Sequence, residues 1–167
     1  MGTYLVVAIL GLALLAVGFA RVVAAYLRFR GKRVVTCPAT EQPAAVELAA
    51  GHAALRAAFR QPALHLRNCS RWAAQPDCCQ ACLKQIESAP KECLVLTILS
   101  RWFHEKSCTY CGRPMGEINW RQHKPCLASP ELRILEWKDI QPETIPSVLQ
   151  SHLPVCWNCY VAETHTS

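Results

Sequence analysis

Residues Tyr4 to Leu27 read YLVVAILGLALLAVGFARVVAAYL, an apolar run whose one charge is Arg21. A helix over these residues is about 36 Å long at 1.5 Å per residue, against a bilayer hydrocarbon core of about 30 Å. Tyr4 and Tyr26 lie near its ends, where amphipathic rings favour the membrane interface, and Arg21 is close enough to the second end to snorkel. A cleaved signal peptide is the alternative, but it carries positive charge before the apolar run. Here Met1-Gly2-Thr3 has no charged side chain, and the basic residues follow the run. The reading is therefore a retained, single-pass transmembrane helix of bacterial inner (plasma) membrane type.

Outward from that helix, the net charge of +6 separates into two parts. Arg21, Arg28, Arg30, Lys32 and Arg33 belong to the helix and its flank. Removing these five from the 18 basic residues leaves 13 against 12 acidic, a balance of +1. Nucleic-acid binders carry their basic excess on the folded domain, so no nucleic-acid partner is expected. Lys and Arg mark the cytoplasmic flank of a span, which places the N-terminus outside and residues 34–167 in the cytoplasm. That orientation governs the reading of the 11 cysteines. In a reducing compartment they are ligands or buried thiols rather than disulfides.

The chain divides into an anchor with a basic juxtamembrane linker (1–33), a cysteine-containing, mainly helical region (34–106) and a metal-binding region (107–167). Val34 to Pro38 reads as a strand entering a turn, and Ala44 to Leu48 as its return. Helices are expected over Ala49 to Phe59, Asp77 to Ser88 (with Cys79, Cys82, Leu83 and Ile86 on one face) and Glu92 to Glu105. Within the last of these, Leu94, Ile98, Leu99 and Trp102 should face inward. Short strands are expected at Glu117 to Trp120 and Arg133 to Ile140, then short helices over Glu143 to Gln150 and Cys156 to His165. The fold class is α+β.

Chemistry concentrates in Cys108-Thr-Tyr-Cys111-Gly and, 44 residues later, Cys156-Trp-Asn-Cys159. Two sulfurs from one tight turn bind a single ion at about 2.3 Å, and a second such pair completes a tetrahedron. Gly112 supplies the positive φ that turns N–H groups toward the thiolates. In these four cysteines and the order of elements around them, the last 60 or so residues resemble a treble-clef zinc finger. The resemblance implies a knuckle at Cys108 to Gly112, a hairpin from the strands around Glu117-Ile118-Asn119-Trp120 and Leu135-Glu136-Trp137, and Cys156 and Cys159 opening the last helix. Zinc is the expected ion, and iron is the alternative with the same ligands. A redox-active or structural disulfide, or inert buried thiols, are the other readings of the same residues.

Cys37, Cys69, Cys78, Cys79 and Cys82 can supply a second metal site, with the choice between Cys78 and Cys79 open. Cys93 and Cys126 read as core. His123 or His152 can replace one cysteine at the principal site. No histidine pair has catalytic zinc spacing. Tyr160 stands where Cys-x-x-Cys-His would place a haem-attachment histidine, and no phosphate loop or nucleophile elbow is present. Trp72, Trp102, Trp120, Trp137 and Trp157 read as core area, and Glu117 and Glu136 as neighbours across the hairpin. The expectation is a non-enzymatic, membrane-tethered zinc module for assembly or contact with a membrane-protein partner. A membrane-bound redox protein (iron–sulfur or thiol–disulfide) and a metal-handling or sensing protein are the alternatives.

Overall fold

The apolar run forms one unbroken helix, α1 (Gly2–Phe29), with a mean hydropathy of 2.5 over its most apolar window and no residue of that window buried. The computed structural model describes residues 2–57, 63–75, 77–121, 124–131 and 133–165. α1 is exposed along most of its length, yet Ala25 and Phe29 are buried. They pack with Ala53 and Ala54 of α2 (Ala50–Ala57), whose alanines at i, i+3 and i+4 make a narrow buried face. Only small side chains on that face let the two backbones approach closely.

α1 stops at Gly31, whose φ of +98° is the left-handed conformation that ends helices and that glycine adopts without a Cβ penalty. Arg33 then folds back over the helix end. Its Nη1 donates to the carbonyls of Phe29 (2.7 Å), Gly31 (3.0 Å) and Arg30 (3.4 Å), and its Nη2 to that of Arg28 (2.7 Å). The side chain is fully buried, so Arg33 caps the helix rather than joining the solvated basic flank. A cation at a helix C-terminus offsets the partial negative charge of its unpaired carbonyls.

β1 (Lys32–Thr36), β2 (Pro43–Leu48) and β3 (Leu66–Cys69) form an antiparallel sheet in that order, with Val34 opposite Ala45 and Val46 opposite Cys69. Val35, Ala44, Val46, Leu48 and Leu66 face one core with the end of α1 and with Ile86. Ile86 lies on α3 (Leu83–Ser88), which is half the length expected for Asp77 to Ser88. Residues before Leu83 are a loop with Gln80 at φ +55°, so Cys79 is exposed and shares no helical face with Cys82. The expected helix over Ala49 to Phe59 runs past α2 into residues 58 and 59, which lie outside the described residues.

α4 (Val95–His104) buries Val95, Leu99 and Phe103 at i, i+4 and i+8. Ile98 and Trp102 are partly buried, while Leu94 precedes the helix. β4 (Cys126–Ala128) is the centre of a second antiparallel sheet, between β5 (Ile134–Glu136) and β6 (Leu153–Val155). All three β4 residues are fully buried, so the strand shows none of the alternation of a half-exposed one. The expected strand at Glu117 to Trp120 is instead a bend and turn, and β4 takes its place opposite Leu135. Glu117 is exposed and does not face Glu136. α5 (Ile145–Ser151) and α6 (Trp157–His165) flank β6. Trp102, Trp120 and Trp137 pack against the core of Leu99, Phe103, Leu127 and Ile145, with Trp120 and Trp137 edge to face at 5.3 Å. Trp72 packs against the first core. The first sheet meets the second half of the chain where the Val34 amide donates to the Cys93 carbonyl (2.9 Å), just before α4, and where β1 and β2 contact the turn Pro142–Thr144.

Candidate metal centre

Cys108 begins a tight turn held by two backbone bonds. Its own N–H donates to the Arg113 carbonyl (2.8 Å), and its carbonyl accepts from the Gly112 N–H (2.8 Å). Gly112 adopts φ +69°, the conformation foreseen from its place after the Cys-x-x-Cys pair. The closed turn aims the N–H groups of Tyr110 and Cys111 at the Cys108 sulfur. A bridge between Ser107 and Pro114 closes the neck below it, and the Thr109 amide donates to the Pro154 carbonyl (2.9 Å), fastening the turn to β6.

β6 delivers the other pair. Cys156 follows its last residue directly and precedes α6, while Cys159 lies in the first turn of α6. The Cys156 amide donates to the Cys108 sulfur (3.3 Å), so one N–H binds the two halves of the site together. The Tyr160 amide donates to the Cys156 carbonyl (3.1 Å), continuing the helix. At the N-terminal end of α6 the Cys159 amide acts on the Cys156 sulfur.

All four sulfurs lie within 4.8 Å of one another, and Cys111 and Cys156 are 3.7 Å apart. A tetrahedron with metal–sulfur bonds of about 2.3 Å has edges of about 3.8 Å. The spacing suits four ligands around one ion and is far too long for a sulfur–sulfur bond of about 2.05 Å. All 11 cysteines are free. Electrostatics point the same way. Burial raises the Cys108 pKa, but N–H groups from Cys156, Cys111 and Tyr110 outweigh it and bring the thiol down to about 6. Cys156 and Cys159 are pushed up, first by burial and then by neighbouring sulfurs. The Cys108 thiolate forms readily and those of Cys156 and Cys159 are opposed, a balance that a bound cation would reverse.

The surroundings are half apolar and half polar. Cys126, Ala128 and Val155 are fully buried behind Cys108. Burial, followed by the charge of Glu136, raises the Cys126 pKa to about 12, so it stays a thiol and belongs to the packing. On the α6 side, the Tyr160 hydroxyl donates to Glu136 Oε1 (3.0 Å), and Lys138 pairs with Glu136 Oε2 (2.7 Å). Trp157 packs on Tyr160 at 5.3 Å. This Glu136–Lys138–Tyr160 group, which ties the helix carrying Cys159 to β5, had no signature in residue spacing.

His152 ends α5 with its Nδ1 against Ser151 Oγ (2.9 Å) and is not part of the quartet; His123 lies outside the described residues. Cys37, Cys69, Cys78, Cys79 and Cys82 all line one cavity of about 330 Å³ at the end of the first sheet. Cys93 is half-buried against the first core. The chain matches no protein-family model, no curated protein and no solved structure.

Proposed function

We propose that this chain is a single-pass, membrane-anchored module whose soluble part is held together by a structural zinc ion on Cys108, Cys111, Cys156 and Cys159. The observation that carries the reading is the convergence of four sulfurs, from a knuckle and a helix start 44 residues apart, at spacings suited to one tetrahedral ion. The order of knuckle, hairpin β4–β5 and terminal helix supports the treble-clef resemblance, with α5 and β6 inserted before the second ligand pair. Four thiolates fill the coordination sphere and leave no position for substrate, so the ion contributes folding free energy rather than catalysis.

α1 anchors the module in the inner (plasma) membrane, with the basic flank on the cytoplasmic side. An apolar helix of 28 residues, about 42 Å long and exposed in its apolar window, needs a lipid environment to cover it. The module then serves assembly or contact with a membrane-protein partner. Exposed Cys111 favours a second reading, an iron ion on the same ligands, because electron transfer benefits from a ligand open to a partner.

The test is elemental analysis and an absorption spectrum of the full chain, purified anaerobically in detergent, beside Cys108→Ser and Cys156→Ser. A colourless protein that loses about one zinc equivalent in both variants supports the structural module. Bound iron with charge-transfer bands moves the reading to electron transfer. A metal content unchanged by both substitutions refutes the centre. Release of the chain from membranes by salt or carbonate would refute the anchor.

A further inference from the structure

We propose that Cys37, Cys69, Cys78 and Cys82 form a second tetrathiolate metal site, which staples the loop before α3 to the end of the first sheet. The proposal uses none of the ligands of the first centre and stands or falls separately from it.

Topology brings the residues together. β1 and β3 flank β2 and both run antiparallel to it, so they point the same way and finish at the same end of the sheet. Cys37 follows the last residue of β1, and Cys69 is the last residue of β3. Cys82 sits at the start of α3 and Cys78 four residues before it. All four line the same cavity, beside Arg71 and Trp72. Cys37, Cys69 and Cys82 are each less than a tenth exposed.

The turn at Cys37 repeats the bonding of the Cys108 knuckle. The Cys37 N–H donates to the carbonyl five residues on, Gln42 (2.9 Å), as Cys108 does to Arg113. Its carbonyl accepts from the N–H four residues on, Glu41 (2.8 Å), as that of Cys108 does from Gly112. Glu41 has φ +54°, matching the left-handed Gly112 although it carries a side chain. Such a conformation is strained at a non-glycine residue and has to be held by its surroundings. Thr40 occupies the place of Cys111, so this knuckle offers one sulfur and the remaining three have to come from elsewhere.

The other sulfurs are prepared in a similar way. The Arg71 amide donates to the Cys69 sulfur (3.5 Å), and the Gln80 amide to the Cys78 sulfur (3.4 Å). Gln80 is the second left-handed non-glycine residue, and its Oε1 accepts from the Leu66 amide (3.1 Å), pinning the Cys78 loop to β3. Cys79 lines the same cavity but is exposed, whereas Cys78 is half-buried and its sulfur accepts the Gln80 amide, which favours Cys78 as the ligand. Among the described residues, only the Cys108 quartet brings three or more ligand atoms within 4.8 Å of one another, so the sulfurs of the second set have to draw closer to share an ion.

The experiment counts metal on the full chain in detergent, purified anaerobically with zinc supplied. About two equivalents are expected, falling to about one in Cys69→Ser, Cys78→Ser and Cys108→Ser, to none in the Cys69→Ser/Cys108→Ser double variant, and unchanged in Cys79→Ser. About one equivalent, lost on Cys108→Ser and kept in Cys69→Ser, overturns the second site and leaves the first. No metal at all overturns both. Alkylation mapping of the unmutated protein gives a readout independent of variant folding. Cys37, Cys69, Cys78 and Cys82 should become reactive only after chelation, with Cys79 reactive throughout. Equal reactivity of those four before and after chelation, or their recovery as disulfides, overturns the proposal.

Discussion

Arg33→Met should unfold the junction between α1 and the first sheet more easily, by about 3 kcal/mol. The guanidinium serves four carbonyls at the end of α1, from Arg28 to Gly31, and one of these bonds, to Phe29, is fully buried. Leaving one buried acceptor unpaired costs about 1–3 kcal/mol. Losing a cation at a partly buried helix C-terminus costs up to about 2 kcal/mol more. The other carbonyls are part-buried and can turn to water. Against these losses, methionine removes a guanidinium whose pKa is lowered by burial and whose Nε has no partner. The net of about 3 kcal/mol is roughly a 150-fold change in the unfolding equilibrium, or about 6–12 °C for a chain of this size. Urea unfolding of the full chain in detergent, followed by tryptophan fluorescence with Trp72 against the affected core, measures it. Arg33→Lys keeps the charge but not the fork, and should fall about halfway. An Arg33→Met midpoint within about 0.5 kcal/mol of the unmutated protein would refute the argument, because it would mean those carbonyls need no cation.

Gly112→Ala tests the knuckle itself. An added Cβ meets nothing within 4 Å, so its cost is the strain of φ +69° alone, about 1 kcal/mol. Competition with a chromophoric chelator should show metal held about fivefold more weakly, and unchanged affinity would separate the turn from the ion. Glu136→Gln tests the link between β5 and α6. Lys138 foremost, with Tyr160 adding to it against the effect of burial, holds the Glu136 pKa below its usual value. A carboxylate depressed in the folded state stabilises fully above its unfolded pKa of about 4.3, and the contribution disappears as pH falls through the folded value. The stability gap between Glu136→Gln and the parent should therefore be constant at neutral pH and close on acidification below about pH 4. A gap that persists into strong acid would mean that the side chain contributes by shape alone.

Local signals were the legible ones. α1 and the Cys-x-x-Cys pairs are written in consecutive residues, and α4 in apolar positions one turn apart, so each could be read without knowing the tertiary structure. The misreadings occurred where distant contacts decide. β4 has three fully buried residues and therefore no alternation, which left Glu117 to Trp120 as the more strand-like text. β3 and β6, at four and three residues, were too short to carry a pattern and went unseen. The helix expected over Asp77 to Ser88 is about twice the length of α3, because Cys79, Cys82 and Ile86 fall at helical spacing by coincidence. Gln80 instead turns left-handed to meet Leu66. Arg33 looked like one more basic residue beside a hydrophobic run, since a buried cap over four carbonyls leaves no trace in composition.

The continuity of α1 with the core has a mechanical consequence. Many tethered domains hang on a flexible leash and sample a hemisphere above the bilayer. Here Ala25 and Phe29 are bolted to α2, and Arg33 locks the joint, so the chain has a stiff axle where a swivel would otherwise sit. If α1 twists about its long axis inside a bilayer, the first sheet must turn with it by the same angle, like a key with its shaft. Torque applied at either end of this joint is delivered at the other.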